Sequence, residues 1–436
     1  MMLTCFRDNR WKALVLSVAL ILPVSGCANK QAPLFDIAKG SIEAEDCLVR
    51  SSKKVKDEGF SGGRGVSGIT KNDSSVTFSY EINSASHYDL SVDYENTGED
   101  STLGLFVDDH FFMKVSFPKG KGTVTKTVTL KEGNGNISFH YLPGDGDITL
   151  DKFDLEKSSK KISLVVAPHE DDEVLGFAGS IQQTIARGDI VKVVLLTNGD
   201  YFDKDLGPIR IRESMKALEI LGVDKTDIYV MGYGDIIIQS LYECSDPSIV
   251  FDAPSGYDST YGDPSSNMYD YHTLDTGEAA KYCYANLKSD LFNIIDTLRP
   301  DFIYATSEAE WHPDHKFAFK IVKEIIESLN KDKGYHTTLC ESVIHGEELT
   351  WPGKLETDDK GDLKIIEFTN PFPSGGVDRD WEKVTKITLT DEEVKLKKEA
   401  IDQFDTQNNG GANFDGNSEF NYAFCRRDEF YWTYSY

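Results

Sequence analysis

The spacing of apolar residues changes near residue 160, and this change most constrains what the chain can fold into. Before it, short runs of alternating apolar and polar residues recur between turns rich in Gly and Asn, and no helical stretch interrupts them. Short strands at such spacing predict an all-β, jelly-roll-like sandwich over residues 34–156. The predicted strands cover residues 75–82, 88–94, 103–107, 111–117, 123–130, 136–141 and 148–155.

Strands and helices alternate after a polar linker at residues 157–161. This βαβ rhythm predicts an α/β, Rossmann-like domain over residues 161–436, whose mostly parallel sheet carries helices on both faces. Residues 239–276 break the rhythm, and their tyrosines favour an ordered lid or a wall of the substrate site. Predicted strands cover residues 162–167, 190–197, 228–231 and 302–306, and predicted helices cover 173–187, 209–222, 278–298, 315–329 and 392–404.

Metal-binding residue types cluster where two of these strands end. Residues 168–173 (PHEDDE) follow the first strand, and residues 312–315 (HPDH) follow the strand at 302–306. Ligands bind at this edge of an open α/β sheet. We expect His169, Asp172 and His315 to bind zinc and to leave a fourth position open for water. Other divalent metals suit such ligands nearly as well.

Three neighbouring residues can transfer protons. Asp171 stands next to a ligand and is the candidate general base for the attacking water. His312 is the candidate general acid, or the group that stabilises the oxyanion, and Asp314 is expected to orient His312. Taken alone, either motif could also be an acidic helix N-terminus or a surface turn.

The two motifs resemble the LmbE/PIG-L family of zinc-dependent N-deacetylases. The resemblance extends to the pattern RxxExxxAxxxLG that starts at Arg210, to GYGD ending at Asp235, and to residues 424–430. It covers the chain from about residue 161 onward, and it implies the metal and proton-transfer roles given above. The residue before Asp171 is Glu170 where the family often has Pro, which leaves the ligand spacing unchanged.

The same resemblance implies substrate-binding residues. Arg210 and Asp235 match positions that grip sugar hydroxyls in the family, and His345, a looser match, is expected to line the pocket. From the residues alone, Arg210 could instead pair with Glu213 on a helix surface. Asp235 could be no more than a turn residue.

The first half resembles carbohydrate-binding modules of families 6 and 35. The order of residues 42–46 (IEAED), a Gly-rich stretch at 62–65 and residues 148–151 carries this resemblance. It implies a structural calcium ion held by Glu43 or Glu45 and by Asp151. Calcium takes about six to eight oxygen ligands, so backbone carbonyls would complete the set. Solvated carboxylates and a purely structural sandwich stay open as alternatives.

Residues 1–27 are predicted to be a targeting segment rather than part of the fold. A basic stretch precedes the apolar residues 13–24, and residues 24–27 (VSGC) resemble a bacterial lipobox. The resemblance implies cleavage before Cys27, lipidation of its thiol and an extracytoplasmic lipoprotein anchored to a membrane. An ordinary secretory signal and a short membrane anchor are the alternatives.

The net charge limits which partners the chain can bind, and the cysteine spacing leaves the disulfide pattern open. The net charge of −27 argues against binding to nucleic acid or adhesion to an anionic membrane surface. Besides Cys5 and Cys27, five cysteines stand at irregular spacings, so one or two disulfides and buried free thiols both stay open.

Three functions fit these residues. The first is zinc-dependent removal of acetyl groups from N-acetylated sugars of a glycan, which the sugar-binding-like first domain favours. The second is an amidase with the same site chemistry that acts on a larger acyl amide. The third is a surface glycan-binding lipoprotein whose deacetylase-like domain is inactive; the intact set of His169, Asp171, Asp172, His312 and His315 argues against it.

Overall fold

The computed structural model describes residues 31–36, 40–142, 148–201, 203–347, 351–353, 359, 364–408 and 418–436. The predicted targeting segment at residues 1–27, including Cys27, lies outside these residues. Among the described residues, no helix has the length and apolar character that crossing a membrane requires. Every cysteine of the described residues is a free thiol, and all of them except Cys244 are buried.

Antiparallel strands fill the part of the chain up to Lys157. Period-two burial explains why: in the strand Ser86–Asn96, Tyr88, Leu90, Val92 and Tyr94 are buried while the intervening residues are half-exposed. The strands are β1 (Ser41–Glu43), β2 (Leu48–Arg50), β3 (Lys53–Lys56), β4 (Arg64–Ser67), β5 (Ser75–Ile82), β6 (Ser86–Asn96), β7 (Ser101–Val107), β8 (His110–Phe117), β9 (Gly120–Leu130), β10 (Gly133–Tyr141) and β11 (Ile148–Lys157).

These strands form two facing sheets. One has the order β3-β4-β11-β6-β9, with β1 beside β11, and the other has the order β2-β5-β10-β7-β8. Their inner faces share a core of Val, Leu, Ile and Phe side chains. The predicted β-sandwich is therefore confirmed, and β5 has the predicted bounds.

Strands and helices alternate from Ile162, as predicted. The elements are β12 (Ile162–Ala167), α1 (Asp172–Ala186), β13 (Ile190–Thr197), α2 (Gly207–Ile220), β14 (Ile228–Tyr233), α3 (Ile238–Glu243), α4 (Tyr271–Thr276), α5 (Tyr284–Leu298), β15 (Phe302–Ala305), α6 (Pro313–Lys333), β16 (Thr338–Glu341), β17 (Thr385–Thr388), α7 (Asp391–Ile401), α8 (Asp405–Asn408), α9 (Ser418–Tyr422) and β18 (Asp428–Ser435).

The sheet of this second part has the order β14-β13-β12-β15-β16-β18-β17. The strands from β14 to β16 are parallel, and β18 and β17 are antiparallel additions at one edge. In β12, Leu164 and Val166 face the core that contains α5 and α6, whereas Val165 and Ala167 face the core that contains α1, α2 and α7. Helices thus cover both faces, which confirms the predicted α/β fold.

The predicted helices differ from the structure at their ends, and the two largest differences are in α5 and α6. The helix expected from residue 278 begins only at Tyr284, because Ala280 accepts a backbone hydrogen bond from Thr260 and Lys281 forms a bridge with Ser259. The helix expected over residues 315–329 begins at Pro313 and continues to Lys333. Proline suits a first helical position because that N–H would lack a partner anyway.

The sandwich and the α/β part pack against each other through β8 and β9. The Tyr229 hydroxyl donates to the Phe112 carbonyl oxygen, and Thr129 Oγ1 donates to the Leu298 carbonyl oxygen over 2.6 Å. Residues 32–436 accordingly form one compact unit. The predicted domain boundaries at 34–156 and 161–436 stay predictions.

Candidate metal centre

The order of the strands creates a crevice at the carboxyl edge of the sheet. The strands β13 and β14 lie on one side of β12, and β15 and β16 lie on the other, so the crevice opens between β12 and β15. His169 follows β12, and His315 lies in the first turn of α6, which follows β15. Both predicted halves of the site therefore meet at one place.

The turn between β12 and α1 has a strained backbone. Asp171 has φ 147°, a conformation that side chains with a Cβ atom rarely adopt. The Glu173 carboxylate stabilises it by accepting a hydrogen bond from the Asp171 amide at 2.9 Å, and the Ser214 hydroxyl donates to the same carboxylate. Strain of this kind persists where the surroundings hold it, and it clusters at functional sites.

Three potential ligand atoms form a small triangle. His169 Nδ1 lies 3.1 Å from His315 Nε2, and Asp172 Oδ2 lies 3.2 Å from each of these nitrogens. A tetrahedral zinc with bonds of ~2.0–2.1 Å holds its ligand atoms roughly 3.3 Å apart. The set predicted from the sequence therefore has the spacing that such an ion requires.

Carboxylates hold the outer nitrogen of each imidazole. His315 Nδ1 lies 2.8 Å from Glu310 Oε2, and His169 Nε2 lies 3.1 Å from Asp235 Oδ1 and 3.3 Å from Asp314 Oδ2. Protonation of these outer nitrogens leaves His169 Nδ1 and His315 Nε2 unprotonated and able to bind a cation. Histidines that ligate metals are usually oriented in this way.

The electrostatics of the triangle favour positive charge. Burial lowers the pKa of His315, but Asp172 and Glu310 outweigh it and raise the pKa to about 9. Burial also lowers the pKa of His169, but Asp235 and Asp172 outweigh it and raise the pKa well above its ordinary value. Burial also raises the pKa of Asp172, yet the two imidazoles hold it well below its ordinary value. A divalent cation can supply the positive charge that protons otherwise bring here.

Asp171 lies beside the triangle and differs electrostatically from Asp172. Burial raises the pKa of Asp171 to about 7, although the Arg210 guanidinium opposes the shift. Arg210 Nη2 lies 3.7 Å from Asp171 Oδ1 and donates to the Glu170 carbonyl oxygen over 2.7 Å. A carboxylate with such a pKa can accept a proton near neutral pH.

His312 completes a group of three imidazoles. Its ring centroid lies 4.8 Å from that of His169 and 4.7 Å from that of His315. Burial and the neighbouring imidazoles lower the pKa of His312 to about 2, and its buried Nδ1 has no hydrogen-bond partner among the described residues. Because ligand atoms of the three histidines lie within 4.8 Å of one another, His312 is a second candidate for the third ligand position.

One expected contact was wrong. The Asp314 carboxylate does not orient His312: it lies against His169 and accepts hydrogen bonds from the amides of Ile236 and Ile238 at 2.7 and 3.1 Å. Asp314 is in the first turn of α6, and its side chain points toward the segment after β14. It therefore supports a ligand rather than the candidate acid.

The predicted substrate-binding residues lie around the same crevice. Arg210 is 6 % exposed and points to the turn after β12 rather than to Glu213, which accepts hydrogen bonds from Thr406 instead. Asp235 touches His169, as described above. The His345 ring stacks at 5.4 Å from His312 and lies 4.9 Å from His315.

Sequence reasoning missed two carboxylates of the site. Glu310 is fully buried, and besides His315 it accepts hydrogen bonds from the amides of Ile344 and His345 at 2.9 Å each. Asp200 accepts one from the Asp235 amide at 3.0 Å and one from the Tyr261 hydroxyl at 2.7 Å, which brings the Tyr-rich segment to the site. Glu310 lies two residues before the HPDH motif, and this position was the sequence signal that could have indicated a supporting carboxylate for His315.

A second group of carboxylates lies in the sandwich. Glu43, Glu45 and Asp151 each have one buried carboxylate oxygen without a hydrogen-bond partner among the described residues. Ser61 contacts two of them: its hydroxyl donates to Glu43 at 2.8 Å and its amide to Asp151 at 3.1 Å. Burial, followed by the charges of Glu45 and Asp151, raises the pKa of Glu43 although Ser61 opposes the shift. Unpartnered buried oxygens of this kind suit a bound cation.

The α/β domain has a His–Asp–His triangle at the carboxyl edge of its sheet. This arrangement makes it a candidate metal-dependent enzyme. Residues 164–326 match the family model described as PIG-L: GlcNAc-PI de-N-acetylase. The chain therefore contains a domain of the PIG-L (LmbE-like) deacetylase family at residues 164–326, and His169, Asp172 and His315 all lie inside it. A comparison with curated proteins found no match.

Solved structures resemble about a quarter of the chain. A family 35 carbohydrate binding module from Clostridium thermocellum has 16% identity and TM-score 0.25, covering 27% of this chain and 98% of that one. The cycloalternan-forming enzyme from Listeria monocytogenes in complex with pentasaccharide substrate has 25% identity and TM-score 0.25, covering 26% of this chain and 12% of that one.

The exo-beta-1,3-galactanase from Phanerochaete chrysosporium with galactose has 22% identity and TM-score 0.24, covering 27% of this chain and 29% of that one. This chain thus spans less than a third of either enzyme. The likeness to the module is a structural similarity of the N-terminal part and says nothing about a ligand.

Proposed function

We propose that the chain is a zinc-dependent hydrolase that removes acetyl groups from N-acetylated sugars of a glycan. The observation that carries this proposal is the triangle of His169 Nδ1, Asp172 Oδ2 and His315 Nε2, with separations of 3.1 to 3.2 Å. The family of the domain supports the reaction, and the similarity to GlcNAc-PI de-N-acetylases supports an acetamido sugar as the reacting part of the substrate.

The donor set fits zinc. Two neutral imidazoles and one carboxylate are common ligands of catalytic zinc, and the outer nitrogens of both imidazoles are already held by carboxylates. When bound, the ion would supply a water molecule of lowered pKa and would polarise the amide carbonyl.

The residues around the triangle divide the proton transfers. Hydrolysis joins the oxygen of water to the carbonyl carbon and breaks the C–N bond, so acetate and a free amine leave. Asp171, whose burial raises its pKa to about 7, accepts a proton from the attacking water. The lowered pKa of His312 leaves its imidazole without that proton at the start. The proton that Asp171 accepted passes to His312 once negative charge has developed beside it, and His312 donates it to the amine nitrogen as the C–N bond breaks.

Two further residues orient the substrate. Arg210 lies beside Asp171 and Asp235 lies beside His169, and both side chains can bind sugar hydroxyls. Arg210 also holds the Glu170 carbonyl oxygen, which keeps the turn that carries Asp171 in place. Binding of this kind positions the acetamido group for attack.

The test is acetate release by the chain from Lys30 onward, loaded with zinc, on a panel of N-acetylated oligosaccharides and glycans. We expect release from at least one glycan class and none by the His169→Ala variant. Release of a larger acyl acid instead would favour an amidase. Full zinc occupancy with no release from any amide would favour a glycan-binding protein with an inactive domain.

We also propose that Glu43, Glu45 and Asp151 bind a calcium ion in the sandwich. Their unpartnered oxygens, buried near Ser61, support it. Calcium should raise the melting temperature of the full chain, and Asp151→Asn should remove that effect. Asp154→Asn is the matched control, because Asp154 pairs with Lys152 at the surface. An equal calcium effect in both variants would contradict the site.

Membrane attachment through Cys27 is a proposal that rests on the lipobox-like residues 24–27 alone. The full chain expressed in bacteria should carry a lipid on Cys27 and appear in the membrane fraction. The Cys27→Ala variant should appear in the soluble fraction. Mass spectrometry of the N-terminal peptide decides between lipidation and an ordinary secretory signal.

A further inference from the structure

Trp311 is unusual among the aromatic residues of the chain. Its side chain is 51 % exposed, and among the Phe, Tyr and Trp side chains of the described residues it alone is exposed; the other large exposed apolar side chains are aliphatic. Tryptophan is largely buried in most folded proteins because burying its large apolar surface is favourable. An exposed indole beside a candidate catalytic site therefore calls for a partner.

The backbone on both sides of Trp311 is fixed. Glu310, the residue before it, is fully buried and accepts hydrogen bonds from His315 and from the amides of Ile344 and His345. His312, the residue after it, occupies the N-cap position of α6, where its carbonyl oxygen accepts a hydrogen bond from the Lys316 amide at 3.1 Å. Trp311 thus sits between two anchored residues, which limits the conformational entropy that a bound ligand would have to remove.

The indole ring packs against His345, which is itself held by a stacking contact. Its centroid lies 4.8 Å from that of His345 at an angle of 45°, and 5.8 Å from that of His312. His345 is itself stacked on Phe420 at 5.7 Å. One side of the indole is therefore held against the wall of the crevice, while half of its surface faces solvent.

The neighbours of the ring decide what it can contact. In the proposed reaction, His312 faces the nitrogen of the acetamido group. The indole lies 5.8 Å from the His312 ring and is half-exposed, so a sugar unit that extends from the reacting sugar toward solvent can contact it. Flat indole surfaces stack on the C–H face of a pyranose ring by burying apolar area. The net charge of −27 disfavours a polyanionic chain in that place.

We infer that Trp311 is a stacking platform for the sugar unit adjacent to the acetamido sugar, and that the substrate is an uncharged N-acetylated oligosaccharide rather than a monosaccharide. This inference rests on the proposed deacetylase function and specifies its substrate class. Trp311 is a positioning residue: it binds the neighbouring sugar and takes no part in proton transfer.

The experiment compares N-acetylglucosamine with its tetramer as substrates of the zinc-loaded chain from Lys30 onward. We expect kcat/KM to be higher for the tetramer, and Trp311→Ala to lower that preference about tenfold, mainly through KM. Trp311→Phe, which keeps a ring, should retain most of the preference. Leu34→Ala, an exposed apolar residue of the sandwich, should leave both substrates unchanged.

Two kinetic results would overturn the inference. An unchanged preference in Trp311→Ala would show that the indole contacts no second sugar. A parallel loss of activity on both substrates would show that Trp311 only supports the structure of the site. Neither result touches the proposed deacetylase function.

Binding separates failure of the platform from failure of the enzyme. If no form of the chain releases acetate from either sugar, the proposed function fails, and calorimetric titration with the tetramer still tests the platform. Weaker tetramer binding by Trp311→Ala than by Trp311→Phe supports it, and equal binding overturns it. Any contribution of the sandwich to binding is common to the variants and cancels in the comparison.

Discussion

At the scale of single residues, Glu310 shows how a buried carboxylate can prepare a ligand. Its Oε2 faces His315 Nδ1 and the His345 amide, and its Oε1 faces the Ile344 amide. Each oxygen thus accepts hydrogen bonds, and an amide NH2 group in either place would face another donor. By accepting from His315 Nδ1, the Glu310 side chain holds the tautomer of His315 that binds a cation.

We therefore predict that Glu310→Gln weakens zinc binding about 10- to 100-fold, the usual effect of losing such a supporting contact. Competition with a chromophoric chelator measures the affinity. Glu308→Gln is the matched control: Glu308 lies two residues earlier, 30 % exposed, and pairs with Arg379 and Lys323. Equal affinities for the two variants would mean that Glu310 does not orient His315.

Asp171 gives the second prediction at this scale. Asp171→Asn should keep stoichiometric zinc, because the triangle does not include this carboxylate, and should lose ~10²–10⁴ in turnover as a general base does. Metal analysis and acetate release on the same preparation measure both quantities. Loss of zinc together with activity would instead make Asp171 a ligand.

The spacing within each motif was enough to predict the triangle from the sequence. His169 and Asp172 span one turn, and His315 follows a second strand that ends at the same edge. The partner of Asp314 was not predictable in this way, because His169, 145 residues away in the chain, competes with the nearby His312 for its carboxylate. Such choices depend on where side chains of distant elements point.

At the scale of elements, the C-terminal elements α7 and β18 hold the helix α1, whose first turn contains Asp172. Glu429 of β18 accepts hydrogen bonds from the amides of Gly179 and Ser180 in α1, at 2.8 and 3.1 Å. Lys397 of α7 lies 3.0 Å from Glu429 and donates to the Leu175 carbonyl oxygen over 2.7 Å. Both charged side chains are essentially unexposed.

Removing one charge of a buried pair leaves the other without compensation. Lys397→Met should therefore lower the free energy of unfolding by ~3–5 kcal/mol, measured by denaturant titration of the full chain. Lys398→Met is the matched control, because the neighbouring Lys398 pairs with Asp402 at the surface, where such pairs contribute about 0–1 kcal/mol. Similar losses in both variants would refute a special role for the buried pair.

The bounds of helices and strands were predictable where the spacing of apolar residues along the chain determines them. The alternation in β5 and the apolar run in β12 set their bounds without help from the rest of the fold. The start of α5 was not predictable, since pairing with residues 258–260 holds Ala280 and Lys281 out of the helix. Tertiary contacts overrode local propensity there.

At the scale of the whole molecule, edge strands of the sandwich are covered by the α/β part. Both β8 and β9 are the last strands of their sheets, and an uncovered edge is prone to pair with other chains. Asp275 of α4 meets β8 directly: it accepts a hydrogen bond from the Phe111 amide at 2.6 Å and lies 3.2 Å from His110 Nδ1. Lys192 of β13 is buried at the same interface, 2.6 Å from Asp227.

This interface should make stability depend on pH through His110. The hydrogen bond to Asp275 raises the pKa of His110 above its ordinary 6.5, with burial and Lys131 opposing and Asp109 assisting. The contribution is fully present below pH 6.5 and is lost as the pH rises through the raised pKa, because the folded state then no longer holds the extra proton.

We predict that the difference in free energy of unfolding between the natural chain and His110→Gln is largest below pH 6.5 and shrinks toward higher pH. Denaturant titrations of the full chain between about pH 5.5 and 8.5 measure it. In an Asp275→Asn background, adding His110→Gln should no longer cost most stability below pH 6.5, because the main group that raises the pKa is gone while burial and Lys131 still lower it. A difference that persists there would place the responsible charge elsewhere in the interface.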